Sequence, residues 1–414
     1  MSGRPLRTLD LFSGIGGMTR GLHGIAEPVM YCDIAPESRR VLASKMDAGL
    51  LPRAPVSGDV RELTFSPPKV PTIINPTKKD AKKYTSVPEV DMVVAGFPCV
   101  GFSVMGLGEA FENEESGLFR EVLRICDSVP SKVPMIFLEN VANVLRTGMD
   151  VILAELATKR GYEVRWVVVS AADVGAPHVR SRWFCLAVQP SFAFAMDSVE
   201  GYARYGWSPH AEEQGDWSRT APDLTKATKA TKDGQTTKDR CGLLGNSVVP
   251  DAVRFAFLYM LSRNAVNIES LSPSRVELTN PTNTFVKTVK KKKQRYPKSG
   301  VFSPIAGKFD AFEPVFPSVS LSYPGPVIDP ASFASDKPPS PLLKTALITE
   351  IHRMPKWSTP RHSLTGACNY LTERSIRDLP TQVRFAQDTL HREWPVSAEF
   401  LEFLMGFPIG WTRC

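Results

Sequence analysis

The chain has 414 residues, 43% of them apolar and 22% charged, enough for a sizeable core and, by length, about two to three domains. The formal net charge of +7 has one source: residues 287–298 (KTVKKKKQRYPK) hold seven Lys or Arg and no acid, and the remaining chain balances at 43 basic against 43 acidic residues. Seven scattered cysteines (32, 99, 126, 185, 241, 368 and 414) without a CxxC pair exclude a disulfide framework or a zinc cluster and suit a reducing compartment. The N-terminus lacks the long apolar core of a secretory signal. The uncharged run Met92–Gly108 contains Pro98 and several glycines, so no membrane span is expected.

In chain order, short apolar runs alternate with helical patterns over residues 1–190. Strands are expected at 7–12, 29–31, 92–96, 135–138, 164–170 and 183–188, with helices at 117–128 and 149–159. Runs that are apolar on both faces mark parallel strands covered on both sides, so the fold class is α/β with a doubly wound sheet. Residues 66–90, proline-rich and containing KKDAKK, read as a surface insert. Residues 187–242 read as variable, with a low-complexity stretch at 222–240. An apolar helix is expected at 252–261. Residues 266–343 carry the basic run and nine prolines between Ser299 and Leu343, and read as a linker, because compact domains rarely hold that much structureless chain. Pattern returns in 344–414. The expected units are therefore 1–265, 266–343 and 344–414.

Six segments carry groups that chemistry could use. LDLFSGIGGM (9–18) runs from a strand into a Gly-rich turn and a helix, which either cradles a ligand or is a plain tight turn; Gly14, Gly16 and Gly17 do not meet the dinucleotide spacing. Asp33 follows the next strand, where a carboxylate accepts ribose hydroxyls or starts a helix, and Asp59 is a ligand contact or a turn residue. In AGFPCVGFS (95–103) a strand ends before Pro98 and Cys99, a placement suited to a thiolate nucleophile, although free Cys is more often a small buried hydrophobe. FLENVANV (137–144) delivers Glu139 at a strand end, as a proton donor with a raised pKa or as a salt-bridged acid. GAPHVRSRWF (175–184) presents Arg180 and Arg182 in alternation, expected on one face. LLGNSVVP (243–250) offers Asn246 to a polar ligand or to a turn. All of these would meet at the carboxyl edge of one parallel sheet, where α/β ligands bind.

With ESGLFRE (115–121) added, these motifs stand in the order found in the DNA cytosine-5 methyltransferases, and the chain resembles that family over roughly residues 6–260. The resemblance implies a Rossmann-like S-adenosylmethionine-dependent methyltransferase sheet with a small C-terminal unit. It implies that Phe12 and the Gly14–Gly17 loop hold S-adenosylmethionine, with Asp33 on the ribose, Ile34 and Asp59 at the adenine, Pro98 and Leu118 lining the pocket, and Asn246 at the methionine end. Cys99 would attack C6 of a flipped-out cytosine, making C5 able to accept a methyl group. Glu139 would donate to N3, and Arg180 and Arg182 would secure the base and Glu139. Ser103 and Met105 would touch DNA from a glycine-rich loop that closes over the base.

The departures are His178 where most relatives have Gln, Val100 after the nucleophile, Glu114–Glu115 where Arg is common, and an unusual architecture. The interval 187–242 is short for a target-recognition region, while LEFLMGFPIGWT (401–412) looks like the segment that usually precedes GNSV. Target recognition is therefore expected in 344–414, with Trp357, Arg361, His362 and Arg374 as DNA contacts; the alternative is that this unit completes the fold. Expected partners are double-stranded DNA and no membrane, with the protein a monomer inside the cell, in the nucleus if that cell is eukaryotic. The basic run would hold phosphates or act as an import signal. An RNA methyltransferase of the same fold is the rival reading, disfavoured because its Cys-Phe-Thr segment is absent. A catalytically silent DNA binder is another, disfavoured by intact Cys99, Glu139 and Arg180.

Overall fold

The computed structural model describes residues 4–66, 70–73, 89–98, 117–129, 132–190, 235–262, 296–303, 308–311, 357, 360, 379, 382 and 396–414. Cys99, Ser103, Met105, Arg361, His362 and Arg374, with residues 222–234 of the low-complexity stretch, lie outside the described residues, while 235–240 are described.

The strands are β1 (Leu6–Leu11), β2 (Ala26–Cys32), β3 (Val56–Ser57), β4 (Leu63–Ser66), β5 (Val70–Ile73), β6 (Met92–Gly96), β7 (Met135–Val141), β8 (Glu163–Ser170), β9 (Ser181–Val188), β10 (Ser299–Ser303) and β11 (Lys308–Ala311). Nine of them form one sheet in the order β11-β10-β8-β9-β7-β6-β1-β2-β3. Neighbours from β3 through β7 are parallel, while β9 runs antiparallel to both β7 and β8, and β10 antiparallel to β8. The alternation of apolar side chains explains the layering. Met92 and Val94 of β6 enter one apolar cluster and Val93 and Ala95 the other; β7 divides Met135 and Phe137 from Ile136 and Leu138 in the same way. Each such side chain contributes about 1.5–3 kcal/mol on burial.

The helices are α1 (Gly17–Gly21), α2 (Pro36–Asp47), α3 (Leu118–Ser128), α4 (Val144–Thr147), α5 (Met149–Leu153, continued by a π turn over Ala154–Thr158), α6 (Thr237–Asn246), α7 (Pro250–Ser262) and α8 (Ala398–Leu404). The first face of the sheet is covered by α1, α2, α7 and α8, and the second by α3 and α5. β1 pairs with β2 on one side and β6 on the other, so the chain leaves β1 in both directions across the sheet. The carboxyl ends of β1 and β6 thus frame a topological switch point, the place at which ligands bind in open α/β sheets.

Two segments differ from the sequence reading. The insert at 66–90 starts as a hairpin, β4 with β5; Pro71 is tolerated because both strands of an isolated ribbon are edges. The expected linker 266–343 contributes β10 and β11 to the main sheet. Ser299 lies opposite Val167, the Trp166 Nε1–H donates to Pro297 O at 3.1 Å, and Tyr296 meets the Trp166 ring edge-on at 6.1 Å. The far end of the basic run, Lys298, is therefore fixed to the sheet edge, its carbonyl accepting from Val168 N at 2.8 Å.

The tail 396–414 packs into the same apolar cluster as α1 and α7. All seven residues of α8 are buried, Glu399 and Glu402 included. Arg240 of α6 meets them: its guanidinium lies 2.8 Å from Glu399 Oε1 and 2.9 Å from Glu402 Oε1, and its Nε–H donates to Thr412 Oγ1 at 2.8 Å. Removing one member of a buried ion pair costs about 3–5 kcal/mol, because the partner charge is left in an apolar site. Arg240→Met should therefore lower the unfolding free energy by about that amount in urea titrations. A loss under about 1 kcal/mol, the scale of an exposed pair, would show that the cluster is not a buried one.

Candidate active site

The site begins where β1 ends. Phe12 has φ +56°, unusual for a residue with a side chain, and it initiates the turn into Ser13 and Gly14. Ser13 stitches the turn to β2: its N–H donates to Cys32 O at 3.0 Å, and its hydroxyl accepts from Cys32 N at 3.1 Å. Gly14 takes φ +53° with open space on the side where a Cβ would stand, as a backbone that must admit a ligand closely requires. Asp33, just past β2, braces this loop. Its Oδ2 accepts from Gly14 N at 2.8 Å and its Oδ1 from Ala35 N at 2.9 Å. The Ser38 hydroxyl also bonds the carboxylate, which leaves one of its roughly four acceptor sites. Burial raises the Asp33 pKa, opposed by these backbone bonds.

Ile34 is 63% exposed beside Asp33, an apolar surface waiting for a cover. Phe12 and Leu118 are half-buried and pack on the same apolar cluster as Phe97. Pro98 is half-buried at the end of β6. Asn246 closes α6 with its side chain exposed. Asp59 is engaged differently from expectation: both of its carboxylate oxygens receive the Arg61 side chain, as close as 2.5 Å, and this pairing holds its pKa below the ordinary range. An adenine amino group would have to share that carboxylate.

Behind the loop lies Asp10, which the sequence reading did not single out. It is 1% exposed; Oδ2 accepts from the Thr19 hydroxyl at 2.5 Å, and Oδ1 has no hydrogen-bond partner among the described residues. Burial, helped by the charge of Asp33, pushes its pKa up to about 7. The ordinary value in an unfolded chain is about 3.9. Between those values the native state holds a proton that the unfolded state has lost, so this group makes stability fall as pH rises, by up to about 1.4 kcal/mol per pH unit. Asp10→Asn should be more favourable relative to wild type at pH 7.5 than at pH 5, read from urea midpoints. An equal difference at both values would refute this titration.

The second half of the site lies on β7 and β9. Glu139 continues β7, opposite Gly96 of β6 on one side and Phe184 of β9 on the other. A Cβ on residue 96 would come 3.2 Å from Glu139 Oε2, so Gly96 makes room for the carboxyl. Glu139 Oε1 lies 3.1 Å from Arg182 Nε. Burial raises the Glu139 pKa against the lowering influence of Arg182 and Arg180. A half-buried carboxyl held in that balance can carry a proton and present it.

The two arginines, expected to share one task, do not. Arg182 reaches Glu139, whereas Arg180 is buried and donates to three backbone carbonyls: Gly245 O at 2.8 Å, Ser247 O at 2.5 Å and Pro360 O at 2.7 Å. Arg180 lies just before β9, and its guanidinium ties the GNSV turn and a distant segment to the sheet.

Trp357, expected at the DNA surface, is only 3% exposed. Its ring packs edge-on to Phe400 at 5.1 Å, and its backbone N–H donates to Pro177 O at 2.9 Å beside His178. Its large apolar area is better buried than wet. Asn140, delivered beside Glu139 at the same strand end, carried no role in the sequence reading. It is 2% exposed and its Nδ2 donates to Phe97 O at 3.0 Å, fixing the turn that leads to Pro98 and Cys99. Its placement directly after the acid in ENV was the available signal.

Three comparisons bear on this geometry. A family model described as C-5 cytosine-specific DNA methylase matches residues 6–317. The chain is 30% identical over 389 residues to the Type II methyltransferase M.CviJI of Paramecium bursaria Chlorella virus IL3A, covering 92% of this chain and 90% of that protein. It is 31% identical over 185 residues to the Type II methyltransferase M.MspI of Moraxella sp, covering 43% of this chain and 38% of that one. Among solved structures, the S. pombe Dnmt2 methyltransferase shares 21% identity over 55% of this chain and 65% of its own, with a TM-score of 0.36.

Proposed function

Since the chain belongs to the C-5 cytosine-specific DNA methylase family, we propose that it is a DNA cytosine-5 methyltransferase that modifies a cytosine flipped out of double-stranded DNA. The observation that carries the reading is Glu139. It is a half-buried carboxyl with a raised pKa, paired with Arg182 and opposite Gly96 on the strand that leads to Cys99.

Cys99 is the nucleophile. Its thiolate forms a bond to cytosine C6, and the π electrons of the 5,6 double bond move toward C5 and the N3–C4 edge. Glu139, protonated, donates its proton at N3 and relieves the developing charge. Arg182 holds the carboxyl in place. S-adenosylmethionine, when bound, supplies the electrophilic methyl that C5 accepts. The C5 proton then leaves to a base, the Cys99–C6 bond breaks, and Glu139 recovers its proton.

The Gly14–Gly17 loop suits that cofactor, with open backbone at Gly14, spare acceptor capacity at Asp33, and an exposed apolar surface at Ile34. Phe12, Leu118 and Pro98 would border it, Asn246 would meet its methionine end, and Asp59 would share itself between Arg61 and the adenine. Arg180 acts at one remove, by fixing the turn that carries Asn246. Ser103, Met105, Arg361, His362 and Arg374 remain the proposed DNA contacts, while buried Trp357 is withdrawn. The deciding experiment follows labelled methyl from S-adenosylmethionine into duplex DNA and into transfer RNA, with bisulfite sequencing of DNA from an expressing host. Incorporation into transfer RNA in preference to duplex DNA would overturn the assignment.

A further inference from the structure

The last residues of the chain reach back to the cofactor loop. Trp411 is 1% exposed and donates its indole N–H to Ile15 O at 2.9 Å, in the middle of the Gly14–Gly17 turn. The guanidinium of Arg20, in α1 just beyond that turn, lies 5.0 Å from the Trp411 ring centroid. Phe407 stacks near Trp411 at 5.5 Å, and its Cζ stands 3.4 Å from where a Cβ on Gly17 would be.

The tail is itself held firmly. Glu402 accepts from Gly410 N at 2.6 Å and Thr412 N at 2.8 Å, bracketing Trp411, and Lys45 of α2 donates to Arg413 O at 2.9 Å. Arg240 joins the cluster to α6, the helix that ends at Asn246. The tail therefore braces the glycine loop and, through α6, the element carrying Asn246, from positions far along the chain.

We infer that Trp411 is a positioning residue for S-adenosylmethionine: it holds the Ile15 carbonyl, and with it the Gly14–Gly17 turn, in the conformation that accepts the cofactor. The inference rests on the reading of that loop as the cofactor site. Ile15 is 1% exposed, and a buried carbonyl without a donor is costly, so the turn relaxes toward another partner once the indole N–H is gone. Cofactor binding must then restore the order that Trp411 supplies in advance, which weakens affinity and leaves the chemical step alone.

The test uses the full chain with Trp411→Phe, which keeps an aromatic ring between Phe407 and Arg20 and removes the donor together with part of the buried ring. Binding of S-adenosylhomocysteine is measured by calorimetry, and the thermal shift it induces is recorded. The dissociation constant should rise about three- to tenfold, the scale of one neutral hydrogen bond. The KM for S-adenosylmethionine should rise in parallel, with kcat and the KM for DNA nearly unchanged. A purely structural Trp411 would lower the melting temperature of the free protein and leave the dissociation constant and the ligand-induced shift at wild-type values; that result overturns the inference. Should Trp411→Phe fail to fold, Phe407→Leu, which loosens the same contact at Gly17, should weaken binding likewise, and wild-type affinity there overturns it equally. A wild-type chain that binds no S-adenosylhomocysteine would instead sink the methyltransferase reading itself.

Discussion

Cys99→Ala will lose methyl transfer to duplex DNA by about 10⁴-fold or more, the scale on which removing a covalent nucleophile acts, and will bind S-adenosylhomocysteine as wild type does. Cytosine C5 is a poor nucleophile until a bond at C6 turns the ring into an enamine, so without the thiolate no alternative path of comparable barrier exists. The affinity should survive because the proposed cofactor contacts Phe12, Gly14 and Asp33 belong to the ends of β1 and β2, and Asp33 holds Gly14 without help from the β6 turn. Cys99 follows Pro98, three links of about 3.8 Å from Gly96, and Gly96 is the β6 neighbour of Glu139. Nucleophile and acid are thus tethered to adjacent strands of one edge. A duplex carrying fluorine at cytosine C5, where no proton can leave, should trap wild type as a covalent adduct and leave Cys99→Ala free. Loss of S-adenosylhomocysteine binding in Cys99→Ala would refute the separation of the two halves of the site.

The strand centres were legible in the sequence because their apolar runs fill both faces of a covered sheet. Met92–Gly96 is placed as read, and Glu163–Ser170 within one residue. The ends were less legible wherever function continues the strand. β7 runs on through Glu139, Asn140 and Val141; the first two are polar positions at which hydropathy ends the strand, but all three pair in register with Phe184, Trp183 and Arg182. That register decides which arginine meets Glu139. Residues on one face of a strand recur every second position, and Arg182 sits two residues from Phe184, the partner of Glu139, so it lies diagonally across the ladder on the same face. No local pattern distinguishes it from Arg180.

Long-range packing was illegible for the same reason. The Trp411–Ile15 bond joins positions 396 apart, and β10 with β11 extends a sheet whose other members end more than a hundred residues earlier. Prolines around a five-residue strand argued for a linker, yet the strand is paired on both sides, antiparallel to β8 and to β11. The tail that resembled a recognition segment contributes its described part, residues 396–414, to the core and the cofactor loop.

Glu139→Gln will lower kcat by about 10²–10⁴-fold, the range for loss of a positioned general acid, while cofactor and duplex binding change little. The amide keeps the shape that fits beside Gly96 and can donate a hydrogen bond to N3, but it cannot hand over a proton, so charge in the attacked ring goes unneutralised. The balance at Glu139 also fixes how Arg182 should act. Burial raises the Glu139 pKa, and the Arg182 guanidinium, 3.1 Å away at its Nε, favours the carboxylate and lowers it. Activity needs the protonated acid, so in a profile of kcat/KM against pH the alkaline limb reports Glu139 losing its proton in the free enzyme. Removing the opposing charge with Arg182→Gln leaves burial unopposed except by Arg180. The Glu139 pKa then rises further, and the alkaline limb moves to higher pH even as the maximum falls through loss of the positioning contact. A limb that stays put, or moves to lower pH, would mean that Glu139 is not the titrating acid and that its pairing with Arg182 serves only to hold β7 against β9.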